Sequence, residues 1–324
     1  MISRRTLGCA AGAAVAMPFI RPARAAQRLR FAITNAKSTS YGAAAAAMAR
    51  VVREGSDGRI ELEVFTDGVL GSEVAMLAAV RAGTLDLTIV ASGLLGSYVP
   101  AAGLFDLPFL FKSVDQARRV LDGSIGRDYA AQCQAAGIPV LAWAENGLRH
   151  LTSNRPIRQP SDLQGLKLRI MPAPLLLQSF KAMGADARSL SIVQLYDALR
   201  LGQFDAEENP IPNIIFYQLF EVQSNLLLTG HTYSAACIAA SPDMLDDLAT
   251  ADRALLMRGA EAGVAASRAL VADVERTGLS FLREHGMTVV SDFDRAGFEA
   301  AAEPAHALAA EQFGAERLAQ LRNG

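Results

Sequence analysis

Two arginines stand where the chain reads as strand: Asn146-Gly147-Leu148-Arg149-His150 closes one such run and Gly165-Leu166-Lys167-Leu168-Arg169 occupies another. An arginine reaching from a strand into a cleft grips a carboxylate through two parallel hydrogen bonds, a geometry that the compact ammonium of lysine does not reproduce. Two arginines so placed make an anion clamp. The parts for catalysis are missing from the sequence. It holds no GxSxG, no Walker A loop, no GxGxxG behind a strand and no HExxH, and His150, His231, His285 and His306 are scattered. A base, a nucleophile and an orienting group do not assemble from these motifs, so neither an enzyme nor a cofactor or metal site is expected.

The elements that must position the arginines alternate. Leu29 to Asn35 has β character, Tyr41 to Glu54 an Ala-rich helical pattern, Ile60 to Phe65 strand alternation, Glu73 to Ala82 a second helix and Leu85 to Ala91 a third strand. This βαβαβ succession predicts a parallel sheet with helices on its faces, and ligands at such sheets sit outside the carboxyl ends of the strands. A second series follows: strands at Val140 to Glu145, Lys167 to Ile170 and Thr232 to Ser241, helices at Pro174 to Met183 and Ile192 to Leu201, and Asp205 to Glu208 leading into Asn209-Pro210. From Pro242 onward the spacing of apolar residues is helical, long enough to cross from one lobe to another. The fold class expected is α/β, in two lobes that are each discontinuous in sequence: residues 26–146 plus about 235–274, and residues 147–234 plus about 275–324.

The N-terminus fixes the compartment. Arg4-Arg5 precedes an uncharged stretch from Thr6 to Ile20 and then Ala23-Arg24-Ala25, the layout of a signal peptide over residues 1–25. The stretch is shorter than the roughly 20 residues that span a bilayer, so no membrane anchor is expected. The paired arginines fit a twin-arginine signal, with general secretion as the alternative. Cleavage after Ala25 removes four arginines and no acids, taking the formal charge from −2 to −6, which disfavours nucleic acid as a partner. Cys133 and Cys237 lie far apart without CxxC or Cys/His spacing and read as small buried apolar residues.

Several blocks carry a family resemblance. Ala144-Glu145-Asn146-Gly147-Leu148-Arg149-His150-Leu151-Thr152, Asp162-Leu163-Gln164-Gly165-Leu166-Lys167-Leu168-Arg169 and Asp205-Ala206-Glu207-Glu208-Asn209-Pro210 resemble signature blocks of the solute-binding proteins of TRAP transporters, the tripartite ATP-independent periplasmic systems. Gly58-Arg59-Ile60, Leu70-Gly71-Ser72-Glu73, Gly83-Thr84-Leu85-Asp86 and Phe105-Asp106-Leu107-Pro108-Phe109-Leu110-Phe111 match in the same order, so the likeness spans the mature chain. The resemblance implies a periplasmic binding protein with two α/β lobes, a central cleft and a long connecting helix. It would hand a small carboxylate-bearing solute to small and large TRAP membrane subunits. It also implies roles: Arg169 pairs with the ligand carboxylate, Arg149 assists it and Asn209 contacts the same group. The plainer alternatives are that Arg149 bridges to Asp162 and that Asn209 caps the helix beginning near Pro210.

The ligand expected is either a C4-dicarboxylate-like molecule or a hydroxylated sugar acid. Ala91, Leu94 and Ile192 depart from the sialic-acid-binding members, which makes that site doubtful here. Glu73 falls where those members place an acidic ligand contact, although an acid at a helix N-terminus is the equal alternative. Thr34, Asn35, Ser38 and Ser92 offer neutral hydrogen-bonding groups at the first lobe's strand ends. The rival functions are a binding protein for an ATP-driven importer or signalling system, and a periplasmic enzyme acting on an organic acid. The export reading predicts that protein recovered from the periplasm begins near Ala26. N-terminal sequencing checks this, and a retained Met1 would refute it.

Overall fold

The computed structural model describes residues 26–324, so the leader expected over residues 1–25 lies outside the described residues. The chain opens with β1 (Gln27–Ala32), α1 (Ser40–Gly55), β2 (Ile60–Phe65), α2 (Glu73–Arg81) and β3 (Leu87–Ala91). Two 3-10 turns then lead to α3 (Val114–Asp122) and α4 (Ser124–Ala135). The middle holds β4 (Val140–Ser153), β5 (Lys167–Ile170), α5 (Pro174–Ala182), β6 (Asp186–Ser189), α6 (Leu195–Arg200), β7 (Ala206–Pro210), α7 (Ile211–Phe216) and β8 (Asn225–Ala240). The remainder is α8 (Pro242–Asp247), α9 (Thr250–Glu284), β9 (Thr288–Val290), α10 (Arg295–Phe313) and α11 (Ala315–Asn323).

The strands form one sheet ordered β2-β1-β3-β8-β4-β7-β5-β6, with β9 paired to β8. It is mixed, which corrects the expectation of a parallel sheet. The outer groups are parallel, β1 with β2 and β3 on one side and β5 with β6 and β7 on the other. The centre, where β8 meets β3 and β4 and where β4 meets β7, is antiparallel. Antiparallel pairing needs no crossover helix. That frees β4 and β8, at 14 and 16 residues, to run far beyond the segments predicted at 140–145 and 232–241 and to be shared by both halves of the sheet. Their register shifts between Glu145 and Gly147 and again between Arg149 and Leu151. A bulge of this kind bends the strand and re-aims its side chains.

The long helical tract resolves into α9, with 35 residues, interrupted from α10 by the short β9. At 1.5 Å per residue α9 is about 50 Å long, enough to touch α1 at one end and α7 and β9 at the other. Gly259 and Gly263 let α1 come close: a Cβ on Gly263 would lie 3.0 Å from the Ala44 carbonyl oxygen. One core gathers Leu29, Phe31, Met48, Ile238 and Leu256 under α1 and α9, a second gathers Leu195, Ile211, Ile214, Leu226 and Leu282. The largest joins the other sheet face to α2 through α5 and to α10 and α11. Cys133 and Cys237 are free and buried.

At the bend in β4, Gly147 has φ +122°, and a Cβ there would meet the Pro210 Cβ at 3.0 Å. Both the backbone conformation and the contact exclude a side chain. Gly147→Ala is expected to lower stability by about 1–3 kcal/mol, read as a shift in the urea midpoint with an unchanged slope. A wild-type midpoint would show that the bend has slack.

Candidate functional site

The arginines sit on neighbouring parts of one sheet. Arg149 on β4 lies opposite Pro210 of β7, and Arg169 on β5 lies opposite Glu207 of β7. Side chains alternate along a strand, so Glu207 and Asn209 share a face with Arg169 while Glu208 shares the other with Arg149. The two guanidinium groups meet only at the strand ends. There they line a cleft with Asn209, Asn213, Met171 and Ile192 on one side and Asn35, Tyr41, Glu73, Ala91 and Asn146 on the other. The cavity left between them is about 20 Å³, room for about one water molecule. It lies beyond the carboxyl ends of β1, β3, β5 and β7, where a sheet's strand ends place ligands. Larger hollows bounded by Arg28, Arg50 and Glu61, or by Arg127 and Glu261, are open surface lined by solvated charges.

Arg149 is buried, with 1% of its side chain exposed, and is held by the fully buried Glu208. Its Nε donates to Glu208 Oε2 in a short contact, and Nη2 donates to Glu208 Oε1 at 3.0 Å and to Asn209 Oδ1 at 3.3 Å. Nη1 reaches Ser234 Oγ at 3.5 Å. The bridge from Arg149 to Asp162 weighed from the sequence does not form. Asp162 instead accepts from the backbone amides of Arg158 and Gln159. Burial alone would raise the Glu208 carboxyl, but the Arg149 guanidinium, reinforced by His231, brings it down to about 2.

Arg169 differs. Its Nε donates to the Leu190 carbonyl at 2.9 Å, while its buried Nη1 has no hydrogen-bond partner among the described residues. A buried donor without a partner costs free energy comparable to a lost hydrogen bond, more when charged. Its nearest acids are Glu208 and Glu207, and Glu207 is occupied by donors from Thr152 Oγ1 at 2.8 Å and from Asn209 Nδ2. Burial pushes the Glu207 carboxyl up to about 7. Asn209 does not cap α7, whose N-cap is Pro210. Its Oδ1 accepts from Asn213 Nδ2 at 3.2 Å and from Arg149 instead.

Glu73 opens α2 behind the N-cap Ser72, so it is both an acid at a helix start and a wall of the cleft. Part of the residue is exposed, yet its carboxyl turns inward, where burial raises it to about 7 against the pull of the Ala91 backbone, Arg169 and Arg149. Two expected contacts stand behind the wall. Thr34 is buried and donates to Asn35 Oδ1 at 2.8 Å, orienting that amide. Ser92 is buried in the turn after β3, and its hydroxyl has no partner among the described residues. Three polar cleft residues lay unnoticed in the sequence. Asn146 is inside the Asn-Gly-Leu-Arg-His block, Asn213 follows Asn209 by one helical turn, and Tyr41 starts the Ala-rich helix. Among the described residues no set of three or more metal-binding side chains converges, and no helix is long and apolar enough to cross a membrane.

Behind Arg149 the carboxyl of Asp106 is buried with neither oxygen bonded, and desolvation raises it to about 7. A carboxyl protonated to near 7 in the native state ionises near 4 when unfolded, so native stability falls as pH rises through that window. His150, lowered to about 3 by burial, and His231, lowered likewise, act with the opposite sign up to the ordinary histidine range. Subtracting one variant from wild type isolates the carboxyl. Asp106→Asn is expected to match wild type at pH 4 and to be more stable at pH 8, by on the order of 1–4 kcal/mol. Thermal melts across pH check it, and a gain independent of pH would mean that Asp106 is already ionised in the native state.

Comparison with known proteins bears on this site. A family model described as bacterial extracellular solute-binding protein, family 7, matches residues 31–312. The 2,3-diketo-L-gulonate-binding periplasmic protein YiaO of Escherichia coli strain K12 is 34% identical over 275 residues, covering 85% of this chain and 84% of that protein. A TRAP periplasmic solute-binding protein of Polaromonas sp. JS666, bound to D-erythronate, is 38% identical with a TM-score of 0.89, covering 91% of this chain and 98% of the other. Another from Roseobacter denitrificans, with bound L-galactonate, is 29% identical with a TM-score of 0.86, covering 91% and 98%.

Proposed function

Since the chain belongs to family 7 of the bacterial extracellular solute-binding proteins, the binding proteins of TRAP transporters, we propose that it captures one small acid through Arg169 and delivers it to TRAP membrane subunits. The two-lobed α/β fold is that of TRAP solute-binding proteins of known structure. The observation that carries the proposed binding mode is the buried, unpartnered Nη1 of Arg169 at the wall of the cleft. A ligand carboxylate supplies the missing acceptor. Asn209, fixed from both sides by Arg149 and Asn213, presents its amide to the same group. Arg149, engaged by Glu208, contributes through Nη1 and through its field.

The chain acts in the periplasm as a carrier, without turning its solute over. Its relatives are solute-binding proteins, and among the described residues the cleft offers one cation with an unused donor and neutral amides in place of a nucleophile with its base. The ligand is an organic or sugar acid, the class bound by YiaO and by the Polaromonas and Roseobacter proteins. The lobes divide as residues 26–146 plus about 235–274 and residues 147–234 plus about 275–324. The bulge between Glu145 and Gly147 in the strand shared by both halves supports that division. Glu73 and Asn35 line the same cleft as Arg169, so residues of both lobes surround a ligand held there.

A thermal-shift screen of organic and sugar acids supplies a ligand, since binding to the native state alone raises the melting temperature. Calorimetry then tests Arg169. Charge-assisted hydrogen bonds contribute about 1.5–3 kcal/mol each, so Arg169→Lys, which loses the planar fork, is expected to lose about ten- to a hundredfold in affinity. Arg169→Ala loses more, while the empty protein keeps its melting temperature or gains, because a buried charge without a partner has been removed. Near-normal affinity in folded Arg169→Ala would remove the clamp.

A further inference from the structure

We propose that the cleft accepts a single carboxylate and reads a hydroxyl group through Asn146, so that the protein selects hydroxylated monocarboxylic acids over C4-dicarboxylates. This rests on the reading that Arg169 takes the ligand's carboxylate.

The charges on the wall set the first half of the argument. Only Arg149, Arg169 and Glu73 among the described lining residues are charged. Arg149 is neutralised by the bidentate contact with Glu208, at 1% and 0% exposure, leaving Arg169 as the one cation with an unused donor. A monoanion balances it. A second carboxylate on the same molecule would be buried without a cation, at a cost of several kcal/mol in an enclosed site. The ionisable group across the cleft is the Glu73 carboxyl, which offers a second carboxylate no countercharge and, where ionised, repels it.

Asn146 supplies the second half. It is 4% exposed and lines the cleft beside Arg149, three residues along β4. Its Nδ2 reaches Ser234 Oγ at 3.5 Å, which turns Oδ1 the other way, and Oδ1 has no hydrogen-bond partner among the described residues. A buried carbonyl acceptor is satisfied only by a donor. A carboxylate or a methylene has none to give, whereas a hydroxyl does. Glu73 is a second acceptor in the same space and serves a further hydroxyl of a longer chain. A site built to bond a hydroxyl rejects the analogue lacking it, because its own polar groups are then left unpaired.

A matched set of four-carbon acids tests this by calorimetry on the chain from Ala26: D-erythronate, butyrate, which lacks the hydroxyls, and succinate, which adds a carboxylate. L-galactonate and D-glucuronate extend the hydroxy-acid arm. At least one hydroxy acid is expected to bind tenfold or more tightly than both butyrate and succinate. Asn146→Ala is expected to weaken that acid about tenfold more than it weakens butyrate, and Asn146→Asp, which keeps the acceptor, to restore part of the loss. Glu73→Gln is expected to narrow the gap between hydroxy acid and succinate. Succinate equalling or exceeding every hydroxy acid overturns the inference, as does Asn146→Ala weakening butyrate and the hydroxy acid alike. Arg169→Ala separates the two levels: if it abolishes binding of whichever acid is held, the clamp stands and only the selectivity falls, whereas retained binding removes the clamp itself.

Discussion

The ion pair between Arg149 and Glu208 is the constraint on which the rest of the site depends. Both side chains are out of water, and neither could be buried there alone. Their bonds tie β4 to β7 across the sheet, and the backbone amide of Met171 donates to Glu208 at 3.3 Å, tying in the end of β5 as well. Three strands from distant parts of the sequence are thus locked in register at the edge of the cleft. His231 lies 3.6 Å from Glu208, and burial, aided by Arg149, lowers its pKa against the pull of that carboxylate.

The same pair decides the electrostatics of the cleft. Two arginines side by side would favour a dianion, but one is already compensated. What remains is a single guanidinium whose field is shared with Glu207 and whose Nη1 points to no acceptor. In the proposed binding mode a ligand carboxylate supplies the acceptor that Nη1 lacks among the described residues. The surrounding amides follow a division of labour. Asn209 and Asn35 are pinned by neighbours, so little rotamer freedom is lost when a ligand arrives, whereas Asn146 keeps an unused acceptor.

The frame around the site is continuous through the molecule. β4 and β8 run through the middle of the sheet and bend at Gly147, where neither backbone angle nor space allows a side chain. α9 spans both ends of the molecule and packs on α1 through glycines. Continuous strands and one long helix thus run through both halves, and the largest core is shared between them. The cleft is lined from both banks, by Glu73, Asn35 and Tyr41 on one and by Arg169, Asn209 and Asn213 on the other.

Much of this was legible in the sequence. Alternating apolar residues gave most elements, and the ordered blocks around Arg149, Arg169 and Asn209 pointed to the right family and to the residues that line the cleft. Local patterns encode such features because strand period, helix period and turn residues act over a few positions. Tertiary structure alone decided the rest. That β4 and β8 are long and antiparallel follows from pairing between segments some 85 residues apart, as Glu145 with Ala235 and Arg149 with Thr232, which no local window contains. That Arg149 is spoken for while Arg169 is not depends on which side chains fall diagonal to each other on β4 and β7. That Thr34 and Ser92 stand behind the wall while Asn146 faces into it depends on a bulge and a buried hydroxyl. Residue types state what chemistry is available; the register between distant strands determines which groups are consumed by the fold and which are left for a ligand.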